Sequence, residues 1–533
     1  MPIPSMRRLT TVISTARSRA NALRSLSALL SAPLSGAECR DLTRTRLENR
    51  ESMFLNSARR LVYDVPTSPY LALLKWAGCE YGDLELMVAE RGLEPTLEAL
   101  YRDGVYLSFE EFTTVTEVVR GAHSLRFEFR DLNNPTLAGQ LKDRTSGSRS
   151  GGRSVSISFE DIGERYAPAR YLSLEALDAT DMVPIIWLSG FPVGGLPHWL
   201  SLGKLRRPPL RWFSTSSPEY AYGGTSRYLI YAARLLARRS GCLLPPPEFI
   251  ALEEVDTVLD AVVEASSMQA GCVVITKPSF AVRLAALARR RGTALDRVVF
   301  QTMNEPLTSG KAHEIRASGA RVGALYGFHE GGLTGIPCGN PVEPDDMHFV
   351  ADSFGLIQRE RDHVGVQVRS FVFTTLLETA RKVLLNVEID DFGLFEPRRC
   401  GCPLDDLGYR DHFANVRSFT KLTGEGTTVL GTNCVHIIEE VLPETFGGRS
   451  VDYQLLEVED EQHLTRLQLL ASPRLGPLDE QAVRDVFVSA LDAQERGGIS
   501  LWRSAATIQV VRQDPVHTVG GKLFPFYTLA HSE

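Results

Sequence analysis

Cys272-Val273-Val274-Ile275-Thr276, followed by the helical run Phe280 to Arg291 and then by Arg297-Val298-Val299-Phe300, decides the fold class of this chain. The first and third runs are short, apolar and strand-like, and Gln301 ends the apolar character of the third. Pro184-Ile185-Ile186-Trp187-Leu188 lies upstream and Arg321-Val322-Gly323-Ala324-Leu325-Tyr326 downstream, both of the same kind. Strand and helix taking turns between about residues 100 and 410 predicts an α/β domain. Residues 1–95 read as helical, with periodic apolar positions in Ala22 to Leu30 and in Leu84 to Leu100. Beyond Arg417 the helical Val435 to Val441, the strand-like Gln454 to Val458 and the helical Asp479 to Leu491 predict a smaller α+β unit. The expected organisation is a helical N-terminal extension (1–95), a large α/β domain (96–416) and a smaller α+β C-terminal domain (417–533).

The bulk numbers agree with several cores rather than one, because 533 residues exceed a single ordinary domain. A formal net charge of -7 gives no electrostatic reason to expect nucleic acid as a partner. The most apolar stretch, Met182 to Pro197, is short and interrupted by glycine and proline, so no membrane-spanning segment is expected. The first 36 residues carry arginine, serine and alanine but no acidic residue. They read as a surface helix rather than a targeting segment, and the expected location is the cytoplasm. Eight cysteines in so long a chain do not form a dense disulfide framework.

Two stretches carry chemistry. In Thr145-Ser146-Gly147-Ser148-Arg149-Ser150-Gly151-Gly152-Arg153, glycines let backbone N–H groups converge on an anion while hydroxyls and arginines add donors and charge. That composition suits the phosphates of a nucleotide. Cys338, His348, Cys400 and Cys402 offer three thiolates and an imidazole, a full tetrahedral set for Zn²⁺. Such a set leaves no open position for substrate, so its expected role is structural. It would tie the segment after Glu330 to the segment after Asp391.

Five segments then fall into one order: Thr145 to Gly152; Tyr326-Gly327-Phe328-His329-Glu330; Asp391-Phe392-Gly393; the region of Arg417; and Gly520-Gly521-Lys522. In this order the chain resembles the adenylate-forming enzymes (acyl-CoA synthetase-like), and within them the phenylacetate–coenzyme A ligase branch. The resemblance spans about residues 100 to 533. It implies ATP-dependent activation of a carboxylic acid as an acyl-adenylate, with release of pyrophosphate. It places the β- and γ-phosphates on Thr145 to Gly151, Mg²⁺ on Glu330, adenine beside Tyr326 and Gly327, and the ribose on Asp391, with Arg417 contacting ribose or phosphate. Lys522 would be brought to the reacting junction by a mobile C-terminal domain. Thr145, Glu330, Arg417 and Lys522 are the implied catalytic residues. Only eight of the 58 basic residues are lysine, which sets Lys522 apart. A compact ammonium reaches a carboxylate–phosphate junction more readily than a guanidinium fork. Two departures stand out: Asn415 to Thr420 lacks the acidic hinge residue, and Arg149 occupies a position usually small.

The acid is expected between Trp187, the loop 190–195 and the strand bearing Leu325, with Trp187, Phe191, His198 and Trp199 as candidate aromatic wall, which suits an aromatic acid; each ring taken singly reads more readily as core than as pocket, and His198 equally as a structural histidine. Coenzyme A is the default acceptor; a separate carrier protein's thiol, an amine or another small nucleophile are the alternatives. A retired nucleotide-binding scaffold is a further reading, and a homodimer stays open. No Ser–His–Asp order or glycine elbow points to a hydrolase.

Overall fold

The computed structural model describes residues 20–137, 141–144, 154–188, 194–215, 225–268, 270–363, 366–419, 421–424, 427–495, 502–503, 505–516, 523 and 525–527. Its centre is a six-stranded, wholly parallel sheet in the order Arg321–Ala324, Val298–Thr302, Cys272–Thr276, Val183–Trp187, Arg211–Ser214, Pro247–Phe249. All five side chains of Cys272–Thr276 are buried, as parallel strands covered on both faces require. Their alternation separates two cores. Cys272, Val274 and Phe300 face one, packed with helices Val255–Ser267 and Pro278–Arg290. Val273, Ile275 and Val299 face the other, with helices Gly195–Lys204 and Thr225–Arg239. Pro278 starts its helix where the missing N–H costs nothing, and Arg289 and Arg290 close it at the negative end of the dipole.

The strand–helix alternation predicted across 100–410 stops at about residue 325. Tyr326 leaves the parallel sheet and begins a seven-stranded sheet of antiparallel pairs. Its order is Tyr326–Phe328, Gly332–Pro337, Met347–Phe349, Asp411–Ser418, Val387–Pro397, Val366–Thr375, Phe354–His363. The helical run Leu84 to Leu100 is two helices, Tyr81–Arg91 and Leu93–Arg102, separated at Gly92 with φ of +83°. Side chains of the N-terminal helices, among them Phe54, Leu61, Leu74 and Leu97, share one core with Phe371, Phe373 and Val387.

The C-terminal segment has a core of its own around Tyr453, Leu455, Leu467, Phe487 and Trp502. Its four-stranded sheet mixes parallel and antiparallel pairs, and helix Glu480–Glu495 accompanies it. The chain is therefore a large α/β unit followed by a smaller α+β unit. The two meet at helix Ser309–Arg316. Lys311 Nζ donates to Thr465 Oγ1 at 2.8 Å, Thr308 donates to Glu459, and Leu464 and Ala505 join the core of the large unit. Gly310 belongs to this junction: a Cβ there would overlap the His463 ring and the Glu459 carboxylate. Gly310→Ala is expected to force the two units apart locally at a cost of roughly 1–3 kcal/mol. A lower denaturation midpoint and faster proteolysis between them would report it; an unchanged midpoint would show that the junction yields freely.

Candidate functional site

Tyr326 sits where the chain passes from the parallel sheet to the antiparallel one. Its ring is buried against Phe413, with centroids 5.3 Å apart, and near Phe371 at 6.3 Å. Its hydroxyl donates to Asp391 Oδ2 at 2.9 Å across 65 residues of sequence. Burial first, and Asp391 second, push the phenol well above its ordinary range, so it stays a donor. Successive strand residues point to opposite faces. Asp391 therefore turns to Tyr326, whereas Asp390 accepts from Ser418 Oγ at 2.9 Å. Ser418 is also the register partner of Asp391, and Arg417 that of Phe392. Arg417 Nη1 lies 3.5 Å from Asp345 Oδ2 and donates to the carbonyl of Val416 at 2.9 Å. The antiparallel sheet thus brings Tyr326 and Asp391 together, and it sets Arg417 on the adjacent strand opposite Phe392, with its side chain turned to Asp345.

Gly327 and Glu330 lie on the hairpin that joins Tyr326–Phe328 to Gly332–Pro337. Gly327 opposes Leu333 so closely that a Cβ would overlap the Gly332 carbonyl. Glu330 is half-buried in the turn, and no side-chain hydrogen bond or ion pair holds it among the described residues. The turn itself is anchored from below. Arg165 Nη1 donates to the carbonyl of Leu333 at 3.1 Å, and Arg381 Nη1 to that of His329 at 3.4 Å. Both guanidinium groups converge on Asp161, Arg165 through Nε at 2.6 Å and Arg381 through Nη2 at 2.8 Å. Burial alone would raise the Asp161 carboxyl; Arg165 and Arg381 outweigh it and hold it below its usual range. Sequence reasoning missed this triad. Its members are separated by as many as 220 residues, and only the surplus of arginine over lysine hinted at fork-shaped pairing.

The phosphate-loop residues Thr145, Ser146, Gly147, Ser148, Arg149, Ser150 and Gly151 lie outside the described residues, as does Lys522. The strands flanking that loop pair antiparallel, Leu141 with Ile157 and Arg144 with Ser154. The helical segment bearing Asp161 and Arg165 follows directly.

Cys338, His348, Cys400 and Cys402 come together, their ligand atoms all within 4.8 Å of one another. His348 Nε2 is 3.1 Å from Cys402 Sγ and 3.5 Å from Cys400 Sγ. The Cys338–Cys402 contact presses the Cys402 thiol below its ordinary range and pushes the Cys338 thiol above it. Donor type, number and convergence fit tetrahedral Zn²⁺. Arg398 and the backbone N–H of Asn340 lie against Cys338 Sγ, at 3.5 and 3.3 Å, and would offset its negative charge.

The proposed aromatic wall is core. Trp187 and Trp199 are fully buried, the first against Phe280 and the second against Trp212. His198 is engaged on both ring nitrogens, by Tyr166 and Arg170. Phe191 lies outside the described residues. Among the described residues, no helix is long and apolar enough to cross a membrane.

No family model matches this chain, and no curated protein matches it. Among solved structures it is similar to a 2-hydroxyisobutyryl-CoA ligase in the postadenylation state in complex with R3-HIB-AMP, at 11% identity and a TM-score of 0.43, over 90% of this chain and 89% of that one. A second likeness is a mutant of the amide bond synthetase McbA from Marinactinospora thermotolerans, at 13% identity and 0.40, over 94% and 98%. A third is the anthranilate CoA ligase AuaEII in complex with anthranoyl-AMP, at 11% and 0.34, over 94% and 95%. At these identities and scores the likenesses assign no activity, and the functional reading rests on the chain's own side chains.

Two outcomes are expected of this geometry. Asp161→Asn leaves two buried guanidiniums without a counter-ion and should cost about 3–5 kcal/mol, read from the urea midpoint. Because the folded carboxyl lies below its unfolded value, its contribution is complete above the ordinary carboxylate range. It is lost as pH falls through the folded value, so wild type and variant should converge in strong acid. Metal analysis of the purified protein should find stoichiometric zinc, absent from Cys402→Ser, and a chelator should lower the melting temperature of the wild type only.

Proposed function

We propose that the chain is an AMP-forming acid ligase that activates a carboxylic acid with ATP and passes the acyl group to a nucleophile, coenzyme A in the first instance. The observation that carries the reading is the pairing of Tyr326 with Asp391 beside the anchored Glu330 turn, just beyond the carboxyl edge of the parallel sheet. That edge is where open α/β sheets bind ligands. Asp391, an acceptor-only group, suits the two ribose hydroxyls, and the Tyr326 hydroxyl fixes its orientation. Arg417, on the neighbouring strand opposite Phe392, would leave Asp345 to contact ribose or phosphate.

Activation of the acid is an in-line attack of its carboxylate oxygen on the α-phosphorus of ATP. One P–O bond forms, the bond to the β-phosphate bridge breaks, and pyrophosphate leaves with the electron pair. The protein's task is alignment and relief of repulsion between anions. Lys522, on a C-terminal unit (417–533) that turns toward the large one, would supply the ammonium at that junction. The hydroxyl-rich loop from Thr145 to Gly151 would hold the β- and γ-phosphates. Glu330 would hold Mg²⁺, which when bound neutralises phosphate charge. The Cys338, His348, Cys400 and Cys402 set would hold Zn²⁺ as a clamp between the segments after Glu330 and after Asp391. An aromatic acid is the substrate class we favour, by the phenylacetate-ligase resemblance of the motifs.

Pyrophosphate release over a panel of aromatic acids, with and without coenzyme A, tests the reading. Release with thioester formation is expected. Release without thioester would move the acceptor to an amine or a carrier thiol; no release with any acid would leave a nucleotide-binding scaffold. Lys522→Ala should lower adenylate formation roughly a hundredfold or more while the protein stays folded. Unchanged release would remove Lys522 from the mechanism.

A further inference from the structure

Arg170, on helix Ala167–Ala176, is completely buried, and no carboxylate meets it among the described residues. Its Nη1 donates to Gln301 Oε1 and its Nη2 to His198 Nδ1, while its Nε has no partner among the described residues. All these partners are neutral. Gln301 is held in that orientation from its other end, since Nε2 donates to the carbonyl of Ser173 at 2.9 Å. His198 accepts at Nδ1, so its proton sits on Nε2 and is directed at the Tyr166 hydroxyl, 3.1 Å away. Burial first, then Arg170, press the imidazole well below its usual range, so it takes no second charge. A guanidinium does not give up its proton in a protein, so Arg170 remains a buried cation.

The surroundings add to that charge rather than cancel it. Asp161 is already shared by Arg165 and Arg381, which leaves their group one positive charge in excess. His198 stands in the first turns of helix Gly195–Lys204, whose positive end carries no acidic residue and no side-chain cap. Gln301 lies near the carboxyl end of its strand, on the edge where the nucleotide reading places ligands. A full charge removed from water without a counter-ion is among the costliest arrangements a core can hold. It is tolerable where a ligand supplies the opposite charge.

We propose that Arg170, His198, Tyr166 and Gln301 form a cationic subsite for an oxyanion, either a carboxylate of the acid substrate or a free phosphate. The carboxylate form deepens the acid-activation reading and rests on it; the phosphate form does not. Arg170 would meet the anion, and the neutral His198 and Tyr166 would fix the guanidinium without competing for its charge.

Gln301→Glu tests this with little change of shape, because it places a permanent carboxylate where Arg170 already meets an amide oxygen. Binding of benzoate, of the neutral benzamide and of inorganic phosphate is measured by calorimetry without nucleotide, alongside the thermal shift given by ATP. We expect the wild type to bind benzoate or phosphate but not benzamide. In Gln301→Glu that binding should weaken roughly thirtyfold or more while the ATP shift persists, which shows that the variant is folded; stability is not the readout, because the variant also loses the Nε2 donation to the Ser173 carbonyl. Arg170→Met should abolish anion binding as well. Benzoate binding assigns the subsite to the acid; phosphate binding alone assigns it to free phosphate. The proposal is overturned if the wild type binds neither anion or if Gln301→Glu binds them unchanged. Loss of the ATP shift in the wild type would count against the ligase reading and leave the charge argument standing.

Discussion

The site hangs on a single buried carboxylate. Asp161 binds Arg165 from its own helical segment and Arg381 from beyond the antiparallel hairpin, and each arginine spends a remaining N–H on the turn that carries Glu330. Remove the carboxylate and two cations repel each other inside the core. With it, three distant stretches of chain are locked to one point: the helical segment Phe159–Tyr166, the turn after Tyr326, and the loop before Val387. The forked geometry of arginine makes this possible, since one guanidinium can hold a carboxylate and a backbone carbonyl at once. That requirement gives a physical reason for arginine over lysine at these positions.

The same logic explains why the two sheets meet where they do. The parallel sheet ends at Ala324, and two residues later Tyr326 has entered an antiparallel one. A parallel strand needs a long crossover to its neighbour, whereas an antiparallel hairpin needs only a turn. The change of sheet therefore delivers a tight, well-anchored turn just past the parallel sheet's carboxyl edge. Asp391 reaches that edge through Tyr326 from a central strand of the second sheet, and its position is fixed by ladder hydrogen bonds rather than by a loop.

How much of this could be read in the chain depended on which physical signal each part leaves. Four of the six parallel strands were legible because burial on both faces demands unbroken apolar runs such as Cys272 to Thr276; the short Arg211–Ser214 and Pro247–Phe249, each carrying a charged residue, were not. The antiparallel strands were not: Phe354–His363 ends in Gln358-Arg359-Glu360-Arg361-Asp362-His363, which reads as surface, yet it pairs residue for residue with Val366–Thr375. The cysteine and histidine set was legible because few residue types bind zinc, and the structure assembles all four. The place of Trp187, Trp199 and His198 could not be decided from sequence for the reverse reason. Large aromatic side chains suit a pocket and a core equally well, and only packing separates them. Arg170 left no trace at all, since a lone arginine in a helix is ordinarily a solvated one.

The buried charges also bear on how the two units work together. Under the proposed reading, a large unit that collects cations beneath the carboxyl edge of its parallel sheet would attract anions before any contribution from the C-terminal unit. Gly310 and Lys311, which meet the smaller unit at Glu459, His463 and Thr465, lie on the helix that follows strand Val298–Thr302, close in sequence to Gln301. Under the proposed reading, charge fixed in the sheets would preorganise the anion-binding edge, and only the Lys522 ammonium would be delivered by motion.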